Sequence, residues 1–193
     1  PGATSAIVEN LRVQYEAQGH EVHILTTHRK EQSAGIIHEG HVTSLPVSYR
    51  PSLRHWLCLY RPSVTRMLKE TIPGLKPDVV HAHNVHTYLT YDALRIASQS
   101  APVFITMHDV MSFAFRRLAT PRFLDSEGQD CKITIFDHPK AAGLQYNPLR
   151  NFCIRCALKD FVRQVLPVSA ALEKALHQNG IGHTTVVHNA IDT

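Results

Sequence analysis

The sequence has few cysteines, no long apolar run and no biased linker, and each absence removes a class of protein. Four cysteines in 193 residues are too sparse for a disulfide scaffold, which favours a reducing cytoplasm. No stretch approaches the roughly 18–20 consecutive apolar residues of a membrane span, and no secretory signal is visible. Without a Pro- or Gly-rich linker, and with 44% apolar and 19% charged residues, the chain is expected to form one globular domain.

Positive charge is in slight excess. Twenty Lys and Arg face sixteen Asp and Glu, and fourteen histidines add positive charge below about pH 6.5. This balance suits an anionic small molecule or an anionic membrane surface. It falls short of the basic stripe of a nucleic-acid binder, so we expect no nucleic-acid partner.

Apolar periodicity predicts strands that alternate with helices. Helices are predicted at residues 5–18, 62–72, 87–98 and 149–163, and after Ser169 as N-cap; strands at 21–27, 42–47, 78–83, 102–109, 164–168 and 184–189. Gly19 stands where the left-handed stop of the first helix belongs. Residues 110–150 are predicted to be irregular. The alternation predicts an α/β fold, a Rossmann-like parallel sheet with helices on both faces.

The predicted order of elements opens with a helix rather than a strand. A parallel α/β fold normally begins with a strand that becomes central, and Pro1-Gly2-Ala3-Thr4 looks like the turn after such a strand. We therefore expect the sheet to lack its first strand, and about ten residues to precede the chain.

Polar residues follow the predicted strands where each one ends. In chain order they are His81, His83 and Asn84; His108 and Asp109; Ser169; and His188 and Asn189. Because the carboxyl ends of parallel strands meet at one edge of a sheet, we expect these side chains to line one cleft.

The histidines of this edge leave a metal site open as an alternative. His81 and His83 are alternate residues of a strand, so both side chains point to one face and could share an ion. With His108 and Asp109 as further ligands they would form the centre of a metal-dependent hydrolase. Barrel enzymes of that kind need about 250 residues, which disfavours this interpretation.

The cysteines offer a second metal hypothesis. Cys153 and Cys156 have the spacing that lets two thiolates bind one tetrahedral ion, and Cys131 with a histidine such as His138 could complete it. A structural zinc site is therefore one prediction. The other is a helix that partly buries its cysteines as small apolar residues.

Residues 49–66 mix arginines with aromatic and aliphatic side chains. The set comprises Tyr49, Arg50, Arg54, Trp56, Leu57, Leu59, Tyr60, Arg61 and Arg66. Such a segment can lie on an anionic bilayer, which would make the chain a non-catalytic docking module or a peripheral protein of the inner membrane face. The alternative is a loop and helix that pack their aromatics into the core. Arg116, Arg117 and Arg122 could receive an anionic acceptor or be solvated.

Five stretches together resemble the N-terminal domain of retaining GT-B glycosyltransferases. They are GATSAIVENLRVQYEAQGHEVHILTT, KPDVVHAHN, VFITMHD, VLPVSAALEKAL and VVHNAIDT, in the order typical of that family and over nearly the whole chain. Three positions depart from the family pattern: Pro1 where a second glycine is common, Thr4 where an acidic residue is frequent, and Ala190 where glycine is usual. Pro1 supplies no backbone N–H to a phosphate.

The resemblance implies a domain organisation and a set of partners. Residues 1–193 would form the acceptor-side domain, with an irregular Cys-containing insertion at about 110–156, and a further domain would bind most of the nucleotide-sugar donor. Sugar would pass to a hydroxyl acceptor (a saccharide, lipid or small metabolite), with retention and without an obligatory metal or other cofactor. The separate domain is expected to be inactive.

The resemblance also implies roles for individual residues. His108 would bind a sugar or acceptor hydroxyl near the reacting centre, and Asp109 would orient it or bind the acceptor. Substrate-binding positions would be Gly2, Ala3, Thr4, His83, Asn84, Ser169 and Asn189.

Overall fold

A computed structural model describes residues 3–48 and 50–189, with the backbone alone for Ala3. The helices are α1 Ala3–Ala17, α2 Arg54–Leu57, α3 Pro62–Leu75, α4 Asp92–Ala97, α5 Pro121–Asp125, α6 Asp137–Ala142, α7 Arg150–Phe161 and α8 Ala170–Gln178. The strands are β1 Ile24–Arg29, β2 Ile37–Glu39, β3 Val42–Val47, β4 Val80–His83, β5 Val103–Met107 and β6 Gln164–Pro167. Single 3₁₀ turns occupy Pro51–Leu53 and Gly143–Gln145.

The second half of the chain builds a parallel sheet in the order β4-β5-β6. The register pairs Val80 with Val103 and Phe104 with Gln164, so successive strands align their carboxyl ends. Helix α4 connects β4 to β5, and α7 leads into β6 and packs against α4. This is the α/β Rossmann-like arrangement that the sequence predicts.

The first half builds a separate three-stranded sheet in the order β1-β3-β2. Strand β3 pairs in parallel with β1 and antiparallel with β2. The described strands therefore form two sheets, where the sequence predicts one, and no ladder joins β1 to β4 within residues 3–48 and 50–189. Strand β2 is absent from the sequence prediction, because its three residues are too few to show a pattern.

Tertiary contacts shift several predicted boundaries. Helix α4 begins at Asp92, five residues later than predicted, after Thr90 in a left-handed conformation with φ +71°. The predicted strand at 184–189 is reduced to a bridge between Thr184 and Val165, extended by the Val187 N–H to the Pro167 carbonyl. Residues 110–150 were expected to be irregular, yet they contain α5 and α6.

Two helix ends follow their sequence signals. Gly19 has φ +88° and closes α1 with its N–H on the Glu16 carbonyl, as its position after the apolar stripe predicts. Ser169 is the N-cap of α8, and its hydroxyl accepts a hydrogen bond from the Leu172 N–H at 3.2 Å. Across the residues described, no helix combines the length and apolarity needed to cross a bilayer.

Candidate active site

Three histidine rings lie in a row where β4 and β5 end. His81 and His83 are alternate residues of β4, so both rings leave the same face, with centroids 4.3 Å apart. The register places Thr106 of β5 opposite His83, and His108 follows two residues later on the same side. Nδ1 of His83 lies 3.0 Å from Nε2 of His108, and Nε2 of His81 lies 2.7 Å from Oγ1 of Thr106. We call His81, His83 and His108 the histidine row.

Burial keeps the histidine row neutral. It lowers the pKa of His83 to about 3, and the positive forms of His81 and His108 add to this shift. Burial also lowers the pKa of His81 and of His108, although Asp109 opposes the change at His108. A neutral imidazole has one N–H donor and one acceptor nitrogen, so the His83–His108 contact joins two neutral rings. Whichever ring donates, Nε2 of His108 is occupied and its Nδ1 is the nitrogen left for a ligand.

Asp109 belongs to the loop that follows β5. Its Oδ1 accepts a hydrogen bond from the Met111 N–H at 2.8 Å, and its Oδ2 lies 3.8 Å from Nε2 of His86. Burial lowers the pKa of His86 although Asp109 opposes the shift, so at neutral pH this contact joins a carboxylate to a neutral ring. His83 makes the described hydrogen bond to the His108 ring, and the expected role of Asp109, to orient that ring or to bind the acceptor, stays a prediction. The Asp109 side chain is 41% exposed and accessible to a ligand.

The same loop is held by two polar residues at the start of α7. Their side chains donate to three of its carbonyls: Arg150 to Met111 and Ala114, and Asn151 to Phe113. Arg150 is only 1% exposed, and no carboxylate pairs with it among the described ion pairs. Its charge is stabilised by carbonyl dipoles, so the α7 start determines where the loop after Asp109 runs.

The start of α1 meets the end of β4. Nδ2 of Asn84 donates to Oγ1 of Thr4 at 3.2 Å, and Asn84 itself has a left-handed φ of +44°. Two predicted substrate-binding residues are therefore brought together beside His83. Ala3 begins α1, and the prediction for Gly2 lies outside the described residues, as do those for Pro1 and Ala190.

The two remaining residues predicted to bind substrate are Ser169, which follows β6, and Asn189. Ser169 directs its hydroxyl to the backbone of α8, so its described contact is that of a helix cap. Asn189 is half-buried, and His188 before it contacts the Val168 carbonyl at 3.2 Å. Neither residue makes a described contact with the histidine row.

The described geometry does not bring the predicted metal ligands together. His83 and His108 direct nitrogens at each other, and His81 directs one at Thr106, which leaves the row without a common point for an ion. Cys131 bonds to the Gly128 carbonyl, while Cys153 and Cys156 lie on α7. In the described part of the chain no three His, Cys, Asp or Glu side chains are placed to hold one metal. The zinc site thus stays an untested prediction.

The arginine-rich segments have mixed environments. Trp56 and Tyr60 are 49% and 52% exposed, so these aromatics do not pack into the core as one prediction had it, whereas Arg61 is buried. Tyr49 lies outside the described residues. Arg116 and Arg117 line a cavity of about 230 Å³ in the insertion. Arg122 pairs with Asp137 at 3.0 Å.

Sequence reasoning missed three residues that shape the site. His86 and Arg150 reach Asp109 and its loop only through the tertiary fold, and Thr106 is an ordinary strand position. Side chains alternate between the two faces of a strand, so Thr106 and His108 share a face. This alternation was the one sequence signal that could have identified Thr106. Arginine side chains are usually solvated, and nothing in the sequence around Arg150 indicates that this one is buried.

The fold and this edge define an α/β domain whose strand ends offer neutral hydrogen-bonding rings and one exposed carboxylate, a set suited to a ligand with hydroxyl groups. The family model of Glycosyltransferase Family 4 matches residues 4–193. The chain therefore belongs to Glycosyltransferase Family 4, and the resemblance to the GT-B N-terminal domain is confirmed. A comparison with curated proteins found no match.

Proposed function

We propose that this chain is the acceptor-binding half of a glycosyltransferase that moves a sugar from a nucleotide-sugar to a hydroxyl acceptor with retention of configuration. A second domain would bind most of the donor, and no metal would be required. The family match supports the class of reaction. The observation that carries the site is the hydrogen bond between neutral His83 and His108 at the carboxyl edge of the sheet. The free cysteines support a reducing cytoplasm as the compartment.

In this proposal His108 binds the reacting sugar or the acceptor hydroxyl through its Nδ1. His83 is a positioning residue, because its hydrogen bond to Nε2 sets the orientation and the tautomer of the His108 ring. Asp109 offers its exposed carboxylate to an acceptor hydroxyl while its Oδ1 stays on the Met111 N–H. Thr4 and Asn84 line the same edge beside His83.

The test is glycosyl transfer by the chain joined to its donor-binding domain, measured with a panel of labelled nucleotide-sugars and hydroxyl acceptors. We expect His108→Ala to lower kcat by about 10²-fold, in the range seen when a positioned histidine is removed. His83→Gln should lower kcat less and shift the pH profile, since the His108 nitrogen it occupied becomes free. His20→Ala is the matched control, because His20 is exposed and distant in sequence from the edge.

Two outcomes would contradict the proposal. One is the absence of transfer with every donor by a well-folded two-domain protein. The other is transfer in which His108→Ala and His20→Ala behave alike.

A further inference from the structure

A second cavity lies beside the carboxyl ends of β1 and β3, apart from the histidine row. Its volume is about 430 Å³. Lys30 follows β1 and Ser48 follows β3; the 3₁₀ turn Pro51–Leu53, α2 and the first turn of α3 close the other side. Since β1 and β3 run in parallel, this cavity opens at the same kind of strand edge as the candidate active site. We call it the basic cavity.

The charges in the basic cavity are all positive. Lys30, Arg50 and Arg61 line it, and the described lining residues include no carboxylate. No described ion pair engages Lys30 or Arg50. Three cations gathered around one cavity repel one another, and an anion placed there removes that cost.

Arg61 is buried and hydrogen-bonded to backbone carbonyls. It is 6% exposed, and its Nη1 donates to the Ser48 carbonyl at 2.7 Å while its Nη2 donates to the Thr87 carbonyl at 3.4 Å. Thr87 belongs to the loop that leaves β4 after His83. Arg61 therefore ties the wall of the basic cavity to the loop of the candidate active site.

The remaining wall is largely apolar. Leu57, Val64 and Met67 contribute to it, together with prolines at 46 and 62. Apolar walls weaken the hydration of an anion and strengthen its attraction to the cations. They also accept the carbon skeleton to which the anionic group is attached.

We propose that the basic cavity binds a phosphate group carried by the acceptor. A phosphate monoester is dianionic near neutral pH and has three acceptor oxygens, which matches several cations better than a single carboxylate does. The assignment to the acceptor rests on the proposed function, because the donor's own diphosphate is assigned there to the other domain. The acceptor class is then a hydroxyl compound that bears a phosphate.

The first experiment measures binding of inorganic phosphate to the chain by calorimetry, at constant ionic strength with chloride as the reference anion. The test variant is Lys30→Gln with Arg50→Gln. The control is Lys69→Gln with Lys159→Gln, which removes the same charge from exposed positions outside the cavity. We expect the test variant to weaken binding about tenfold or more, a loss of about 1.4 kcal/mol or more, since it removes two charged hydrogen-bond donors. The control should stay within about twofold.

A phosphate group can come from a soluble compound or from a lipid headgroup, and a second arm separates these sources. Phosphatidylcholine vesicles with and without phosphatidic acid are compared with glycerol phosphate in solution. Retention on the phosphatidic acid vesicles that is lost in the test variant assigns the lipid source. Competition by glycerol phosphate alone assigns the soluble source.

Failure of this inference differs from failure of the proposed function. Absent phosphate binding, or equal weakening in the test and control variants, overturns the phosphate site even if sugar transfer is observed. Phosphate binding that depends on Lys30 and Arg50, without any sugar transfer by the two-domain protein, supports the site and contradicts the glycosyltransferase assignment.

Discussion

The two three-stranded sheets differ in how much of the core they carry. In β5, Val103, Ile105 and Met107 are 1%, 1% and 4% exposed, and all three belong to the buried hydrophobic cluster. In the first sheet only β3 contributes fully buried residues, Leu45 and Val47, whereas every residue of β1 is at least partly exposed. The sheet that carries the histidine row is therefore the better packed one.

This difference separates two kinds of ligand contact. His108 of the histidine row follows the closely packed β5, and His81 and His83 stand on β4, which pairs with β5; such a support suits groups that must be placed accurately near a reacting atom. Lys30 and Arg50 of the basic cavity stand on exposed segments beside the first sheet, which contributes fewer buried residues. Long cationic side chains on such segments can adjust to the position of an anion.

The largest expected effect comes from truncating one apolar strand residue in each sheet. Ile105→Ala should lower the free energy of unfolding by about 3–4 kcal/mol, because Ile105 is 1% exposed and its removal leaves a cavity. Leu25→Ala in β1 should cost about 1 kcal/mol, since Leu25 is only partly buried. Urea unfolding followed by circular dichroism measures both. Equal costs would show that the two sheets are equally well packed.

A smaller effect is expected where α7 holds the loop after β5. Arg150→Met removes the donors to the Met111 and Ala114 carbonyls and should lower the free energy of unfolding by about 2 kcal/mol. Thermal unfolding measures this cost, and Arg155→Met on the same helix, a half-buried arginine, serves as the control. A more stable Arg150→Met protein would mean that the desolvation of the buried charge outweighs its hydrogen bonds.

The third effect is a dependence on pH. Burial lowers the pKa of His83 from 6.5 to about 3, so between these values the unfolded chain binds a proton that the folded chain does not. Stability therefore falls as pH decreases below about 6.5, by up to roughly 1.4 kcal/mol per pH unit for such a histidine. His55, whose pKa burial and the nearby Arg150 and Arg54 lower to about 3, adds a similar slope.

Urea unfolding at pH 7, 6 and 5 measures this slope. His83→Gln should flatten it, and the exposed His20→Gln should leave it as in the parent protein. An unchanged slope in His83→Gln would contradict the neutral, buried state of the histidine row.

Local signals predicted the elements whose ends are set by their own residues. The strand at 42–47 is found with the predicted bounds, and Gly19 and Ser169 end and begin helices as their residue types require. The start of α4 could not be predicted in this way. Its first N–H groups, on Tyr91 and Asp92, donate to carbonyls of residues 58 and 59, and such contacts leave no periodicity in the sequence.

The residues of the candidate site also fall into two groups: those that local sequence signals predict, and those that only tertiary contacts bring to the site. His83 and His108 were predicted because they end strands, and the parallel register then places them 3.0 Å apart. The partner of Asp109 was not predicted, because His86 lies in a loop whose path depends on packing. Arg150 was not predicted for a thermodynamic reason: buried arginine is rare, and the loop carbonyls and the Asn151 side chain that accept its hydrogen bonds are brought to it by the fold.

The order in which β4, β5 and β6 follow each other has a consequence for how the domain folds. Residues 84–102 separate β4 from β5, whereas residues 108–163 separate β5 from β6, so closing the second connection costs about 1 kcal/mol more in chain entropy. We therefore expect the β4–α4–β5 unit to assemble early, because short-range contacts form faster. The histidine rings would then meet before α7 arrives to hold the loop beside them.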